Sequence, residues 1–102
     1  MGHRRRAATA GVPITFTAPA LADLVWIRTY IGQDNPAAAN RIAVQLTAAC
    51  DRLEYLPERG RPGQVPGTRE LATIRPHVIV YRVVPGGVEI LRVWHGAQGR
   101  RP

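Results

Sequence analysis

Hydrophobic residues near the start of the chain follow the period of a β-strand. Val12, Ile14 and Phe16 alternate with polar or small residues, which predicts a half-buried strand. Pro13 lacks an amide N–H, so we expect this strand to begin there or to lie at the edge of a sheet.

The period then changes to that of a helix. Thr17 to Gly32 is predicted to be helical, with Pro19 in the first turn, where its missing N–H is no loss. Gly32 is a natural helix stop. One helix face carries apolar residues at spacings of four, three and four: Ala20, Leu24, Ile27 and Ile31.

A second helix follows after a three-residue link. Asn35 is expected to cap it and Pro36 to occupy its first turn. Such a short link predicts an antiparallel helical hairpin. The apolar stripe of this helix ends before Pro57 and consists of Ala39, Ile42, Leu46, Ala49, Leu53 and Leu56.

The second half of the chain is typical of a loop and three strands. The loop, residues 57–67, is rich in proline and glycine and carries Arg59 and Arg61. Turn residues, Pro76 and then Pro85 to Gly87, separate the strand candidates and predict antiparallel neighbours. The candidates are Thr68 to Arg75, Val78 to Val84 and Val88 to Trp94. The fold class is therefore α+β: an N-terminal strand, an antiparallel helical hairpin and a three-stranded antiparallel meander, in the order β-α-α-β-β-β.

Two helices cover only one face of such a sheet. The strand from Val78 to Val84 is nevertheless apolar on both faces. In the last strand, strict alternation puts Leu91 and Val93 on one side and Val88 and Ile90 on the other. We hypothesise that a partner segment covers the second face; the alternative is that the loop 57–67 or the C-terminal tail covers it.

Composition adds an expected partner class. The 102 residues predict one domain over residues 12–95, with a flexible basic arm at 1–11 and a basic tail at 96–102. A net charge of +7, carried by arginine without any lysine, favours nucleic acid, the ribosome or an acidic protein. No apolar run is long enough to cross a membrane.

The single cysteine, Cys50, fits a reducing cytoplasm and is expected to be a small buried residue. No metal site is expected, because Cys50, His3, His77 and His95 lack the paired spacing of zinc ligands. No cofactor is expected either.

Several short strings in this order resemble the ParE/RelE toxin superfamily of type II toxin–antitoxin systems. The resemblance runs from about Ile14 to about His95. No single string identifies the superfamily, but the order and spacing of the strings together do. The strings are Ala18–Ile27, Leu53–Pro57 with Gly60 and Arg61, Thr68–Leu71, Val80–Val83 and Val88–His95.

The resemblance implies a helical hairpin packed on an antiparallel sheet, and a cognate ParD-like antitoxin whose C-terminal segment wraps the toxin. Coupled folding of that segment would bury apolar surface and pair its acidic groups with this basic domain. Operator DNA would then be bound only indirectly, through the antitoxin.

Two activities remain open. The ParE-like branch inhibits DNA gyrase by binding and needs no catalytic set; the strings Val80–Val83 and Leu91–His95 favour it. The RelE-like branch is a ribosome-dependent mRNA endoribonuclease, which needs a base, a proton donor and cations at the phosphate. Val78 stands where RelE-like enzymes carry a strand arginine, and no tyrosine follows Tyr81. A plain nucleic-acid-binding domain is a third possibility, but no recognised binding motif is present.

The candidate binding residues, for target or antitoxin, are Arg61, Arg69, Arg82, Arg92, Trp94 and His95. A catalytic role is considered only for His95, Arg82 and Arg92, and only if the protein is a ribonuclease. Each has a structural alternative. Arg61 is expected to fix the loop by donating to carbonyls, Arg69 to pair with Glu70 or Asp51, and His95 to be a hydrogen-bonded strand-end residue. His77 is expected to be exposed in a turn, and Trp26 to pack beside the first helix stripe.

Overall fold

In the computed structural model, residues 11–95 are described, and they form a helical hairpin packed on a five-stranded sheet. The predicted arm, apart from Gly11, and the predicted tail lie outside these residues. The elements are β1 (Ile14–Phe16), α1 (Ala18–Gly32), α2 (Pro36–Asp51), β2 (Arg61–Pro62), β3 (Arg69–Leu71), β4 (His77–Val84) and β5 (Gly87–His95). The predicted α+β order of a strand, two helices and a run of antiparallel strands is confirmed.

Both helices begin where the capping residues predict. The Thr17 hydroxyl accepts a hydrogen bond from the amide of Ala20 at 3.3 Å, and the Asn35 side chain accepts one from Ala38 at 3.0 Å. The predicted end of the second helix is wrong: α2 stops at Asp51 and a 3₁₀ turn follows over Arg52–Glu54. The tighter turn takes the chain off the helical period, so Leu56 is 60% exposed instead of lying on the inner stripe.

The strands lie in the order β1-β5-β4-β3-β2. β1 runs parallel to β5, so the first and last described strands are neighbours. β4 and β5 form the predicted hairpin, whose turn places Gly86 at φ +84°, a conformation that favours glycine after proline. Two details differ from the expectation. β3 ends at Leu71 rather than Arg75, and the loop contributes β2, which extends the sheet instead of covering a face.

A β-bulge at Leu91 corrects the predicted sidedness of the last strand. Val80 pairs with Arg92 and Tyr81 with Ile90, so Leu91 is an extra residue opposite β4. The extra residue reverses the alternation beyond it. Val88, Ile90 and Val93 therefore all lie on the face that packs against the helices, whereas strict alternation had separated Val93 from the other two.

The core lies between the helical hairpin and this face of the sheet. Its buried residues are Ala20, Ile27, Leu46, Ala49, Cys50, Leu53, Leu71, Ile79, Tyr81, Val88, Ile90 and Val93. The predicted inner stripe of α1 is confirmed, with Leu24 and Ile31 partly buried against the same cluster. Burial in this core, reinforced by Asp51, raises the pKa of the Cys50 thiol to about 12, so the side chain behaves as a small apolar group.

Asp23 of α1 fixes the helices to the edge of β5. Its carboxylate accepts a hydrogen bond from the backbone amide of Val93 at 2.8 Å. The same carboxylate receives two hydrogen bonds from the Arg92 guanidinium, at 2.7 and 2.8 Å. Six residues earlier, at the N-cap of α1, the Thr17 hydroxyl donates to the carbonyl of Ile90 at 2.9 Å. The edge of β5 beyond β1 is thus closed by side chains from the start of α1.

The loop before β3 is held by two side chains of the sheet. The Tyr81 hydroxyl accepts a hydrogen bond from the amide of Gly60 at 2.8 Å. Arg69 donates to the carbonyls of Gly60 and Glu58, at 2.8 and 3.2 Å. A Cβ at Gly60 would lie 2.8 Å from the Tyr81 hydroxyl oxygen, so only glycine lets the backbone approach this closely.

None of the helices in the described part of the chain combines the length and the apolar character that a membrane span requires.

Replacing Tyr81 with phenylalanine tests the loop attachment. The change leaves the buried amide of Gly60 without its acceptor, so we expect the free energy of unfolding to fall by about 1–2 kcal/mol in urea titrations. The matched control is Tyr30→Phe, on an exposed tyrosine, which should change it by less than about 0.5 kcal/mol. Equal effects of the two substitutions would contradict the role assigned to the Tyr81 hydroxyl.

Replacing Asp23 with alanine tests the attachment of α1 to β5. The change removes a carboxylate that binds both a guanidinium and a backbone amide, so we expect a loss of about 2 kcal/mol in the free energy of unfolding. Glu89→Ala is the control, because Glu89 pairs only with the exposed Arg82 and should cost about 0–1 kcal/mol. If the Glu89 variant were the less stable of the two, this account of the edge would be wrong.

Candidate functional site

An apolar strip covers the outer side of α1. Leu21, Val25, Trp26 and Tyr30 are between 45% and 65% exposed, although all four are large hydrophobic residues. The rings of Trp26 and Tyr30 stack with their centroids 5.0 Å apart. Since the inner side of α1 is already in the core, this helix is apolar on both sides, which is typical of a helix with a second partner.

Sequence reasoning found the inner stripe of α1 and did not find this outer strip. It placed Trp26 beside the stripe as a packing residue and did not consider Tyr30. The available signal was the i, i+4 spacing of Leu21 with Val25 and of Trp26 with Tyr30, which puts two apolar pairs on the remaining surface of one helix.

A shallow depression of about 490 Å³ lies beside this strip on the hairpin. Arg28 of α1 forms one wall, and exposed and half-buried residues of α2 form the other. The α2 residues are Asn40, Ala43, Val44, Thr47, Ala48 and Asp51. The depression offers small apolar side chains together with one charged group of each sign.

Two histidines meet at the end of the sheet nearest to Tyr30. His77 and His95 are cross-strand partners, with ring centroids 5.2 Å apart in an edge-on arrangement. The rings of Tyr30 and His95 form a second T-shaped pair, with their centroids 6.3 Å apart. The expectation of an exposed His77 is wrong: it is the first residue of β4, is 2% exposed, and its Nδ1 lies 3.3 Å from the carbonyl of Ile74.

The pKa of His77 is lowered. The main cause is burial, which penalises the charged form, and the neighbouring His95 acts in the same direction. The bond to the Ile74 carbonyl opposes both effects. His77 is therefore a neutral histidine at physiological pH.

The sheet has a far face, which is the face turned away from the helices. Its residues are Val78, Val80, Arg82, Arg92 and Trp94. Val78 is buried, Val80 and Trp94 are half-buried, and Arg82 is exposed. Arg82 pairs with Glu89 across the hairpin at 2.8 Å. The far face thus combines valines and a tryptophan with a cation at its exposed end.

Arg92 does not project freely from the far face. Its guanidinium is bound to Asp23 on one side and lies 4.2 Å from the centre of the Trp94 ring. The hydrogen bonds to Asp23 are the main reason that the pKa of Arg92 is raised. Arg92 therefore links α1 to Trp94.

Arg61 and Arg69 exchange the structural roles expected from the sequence. Arg61 pairs with the buried carboxylate of Glu70 at 3.2 Å, since β2 places it directly opposite Glu70. Arg69 instead fixes the loop by donating to its carbonyls. Tyr81 lies next to Arg69; its pKa is raised by burial, while the Gly60 amide and the charges of Arg69 and Arg59 partly offset that rise.

The three residues considered for ribonuclease catalysis do not converge. His95 pairs with His77 on the helix side of the sheet, whereas Arg82 and Arg92 lie on the far face. Arg82 and Arg92 also have separate carboxylate partners, Glu89 and Asp23. Within residues 11–95, no group of three or more histidine, cysteine or acidic side chains is placed to hold a metal ion.

The chain matches known toxins over most of its length. It is 47% identical over 85 residues to the protein named toxin RelE2 of Caulobacter vibrioides, which covers 83% of this chain and 96% of that protein. It is 36% identical over 80 residues to toxin RelE1 of the same species, covering 76% and 81%.

A solved structure described as the chromosomal ParDE TA system from P. aeruginosa has the same fold. The TM-score is 0.77 at 27% sequence identity, and the match covers 82% of this chain and 95% of that one. The family described as the ParE toxin of type II toxin-antitoxin systems, parDE, matches residues 14–99. On the strength of this family match and of the relative that is 47% identical, the chain belongs to the ParE toxin family.

Proposed function

We propose that this chain is a cytoplasmic toxin that binds and inhibits DNA gyrase without catalysis and is neutralised by a cognate ParD-like antitoxin. Family membership supports the toxin role and the existence of an antitoxin partner. The choice of gyrase rests on the strings Val80–Val83 and Leu91–His95, which resemble the ParE branch.

The main support for a function without catalysis is that His95 lies apart from Arg82 and Arg92. Cleavage of RNA through its 2′-hydroxyl needs a base, a proton donor and cations around one phosphate. Here the imidazole lies on one face of the sheet, and each arginine on the other face is held by its own carboxylate. A ribonuclease that used these three residues would have to break both ion pairs and bring groups together from two faces.

The antitoxin is proposed to cover the α1 strip and to continue onto the far face. The strip exposes a stacked tryptophan and tyrosine, the kind of residue that dominates binding energy at protein interfaces. A segment that wraps around the edge of β5 reaches Trp94 and Arg82 next. The net charge of +7 favours acidic groups in such a segment.

The candidate residues divide accordingly. Arg82 and Trp94 remain proposed contacts with the antitoxin or the target. Arg61, Arg69 and Arg92 already make the intramolecular bonds described above, so we propose that they contribute mainly by holding the surface in shape. His95 is proposed to act through its contact with Tyr30.

The ribosome-dependent mRNA endoribonuclease is the second candidate. It is favoured by the adjacent imidazoles of His77 and His95 and by the names RelE2 and RelE1 of two relatives. In that case the partners would be the ribosome and its message, and His95 would be the general base.

Two assays on the purified chain separate these functions. We expect inhibition of gyrase supercoiling and intact message in a ribosome-dependent cleavage assay. His95→Gln should inhibit gyrase within about twofold of wild type, because a binding inhibitor needs no base, whereas loss of a general base costs roughly 10²–10⁴-fold in cleavage. Message cleavage that His95→Gln abolishes, with gyrase unaffected, would establish the ribonuclease instead.

Single alanine substitutions test the antitoxin surface. We expect Trp26→Ala and Trp94→Ala each to weaken antitoxin binding by roughly 30-fold, the effect of losing about 2 kcal/mol at an interface hot spot. Titration calorimetry gives the affinity, and circular dichroism checks that each variant is folded.

Val65→Ala is the matched control, because Val65 is exposed on the loop before β3, away from both surfaces. It should bind the antitoxin as wild type does. Wild-type affinity in Trp26→Ala would exclude the α1 strip from the interface, and wild-type affinity in Trp94→Ala would exclude the far face.

A further inference from the structure

Four rings form a continuous row from the surface of α1 to the interior of the sheet. Trp26 stacks on Tyr30, and Tyr30 with His95 and His95 with His77 form two T-shaped ring pairs. The first two rings are about half exposed, and the last is 2% exposed. The histidine pair is therefore connected, through Tyr30, to the exposed aromatic surface.

His77, at the buried end of the row, makes the hydrogen bond of a neutral imidazole. The Nδ1–H of His77 donates to the carbonyl of Ile74, because a carbonyl only accepts. This tautomer leaves a lone pair on Nε2, and that atom is buried without a hydrogen-bond partner among residues 11–95. A proton added at Nε2 would create a buried cation with one of its two N–H groups unpaired.

The surroundings of His77 oppose such a cation. From β5, the group that acts on it electrostatically is the His95 imidazole, which repels it when both rings are protonated. From α1, the titratable side chain in the row is Tyr30. From the preceding turn come the Ile74 carbonyl, which favours the cation, and the exposed Arg75, which has the same sign.

We infer that His77 and His95 are an acid-sensitive latch: protonation of His77 releases the open end of the β4–β5 hairpin and displaces Tyr30 and Trp26. The latch is a regulatory property. It rests on the proposed function only because the Trp26–Tyr30 surface is assigned there to the antitoxin. Acidification would then weaken antitoxin binding before the domain unfolds.

The direction of the pH effect follows from the pKa of His77. Burial lowers this pKa below its ordinary value of 6.5, so the unfolded or opened chain binds a proton that the closed form excludes. The closed form is fully favoured above pH 6.5 and is progressively lost as the pH falls below that value. The closed state thus loses stability on acidification.

Amide hydrogen exchange on the isolated chain between pH 7.5 and pH 5 tests the latch. After correction for intrinsic exchange rates, we expect protection at residues 77–79 and 93–95 to fall below pH 6.5, with a slope of at most about tenfold per pH unit, the limit for uptake of one proton. Residues 83–84 and 87–88, at the turn end of the same hairpin, are the internal control and should keep their protection.

The decisive variant is His77→Phe, which keeps a ring of similar size and cannot be protonated. In this variant the pH dependence at residues 77–79 and 93–95 should vanish. If the ring is not accommodated, His77→Gln serves instead, because its amide donates to the Ile74 carbonyl and stays neutral.

Trp26 reports the far end of the row. In a Trp94→Phe background, where Trp26 is the remaining tryptophan, we expect its emission to shift to longer wavelength on acidification, and not to shift when His77→Phe is added. Circular dichroism should show the helices intact at the same pH.

The latch is overturned if wild type shows no local loss of protection, or if the His77 variants titrate as wild type does. The second result would assign the effect to a group other than His77. Both measurements use the chain without its partner. Failure of the proposed function would appear separately, as absent antitoxin binding or gyrase inhibition at pH 7.5.

Discussion

The attachment of α1 to β5 through Asp23 decides how the helices and the sheet face one another. One carboxylate holds the Val93 amide and the Arg92 guanidinium, and it does so where the bulge at Leu91 has shifted the strand. Because α1 is fixed at this angle, its inner stripe enters the core and Leu21, Val25, Trp26 and Tyr30 remain outside. The same contact places Arg92 over Trp94. The contact of Asp23 with β5 therefore determines the position of both the α1 strip and the Arg92–Trp94 pair on the far face.

Features set by neighbouring residues were predictable from the sequence. The caps at Thr17 and Asn35, the inner stripe of α1 and the turn at Pro85–Gly86 all depend on chemistry within a few positions. Family resemblance was equally readable, because it rests on the order of short strings. In each of these cases the deciding interaction lies inside one element or one turn.

Features that depend on distant partners were not predictable in the same way. The extra residue at Leu91 is visible only against β4, and it reversed the sidedness of Val93. The exchange of roles between Arg61 and Arg69 arises because β2 pairs with β3, which puts Arg61 opposite Glu70. His77 was expected in a turn, yet strand pairing with His95 buries it. For the candidate site, the distribution of the predicted residues over two faces of the sheet could be read only from the register of β4 and β5.

The parallel pairing of β1 with β5 has a consequence for synthesis of the protein. β5 lies between β1 and β4, and it supplies Val88, Ile90 and Val93 to the core. A nascent chain that has not yet exposed residue 95 to solution lacks the strand that joins β1 to β4, so its helical hairpin lacks a large part of the surface on which it packs. Assembly of the native sheet therefore waits for nearly the whole domain to leave the ribosome.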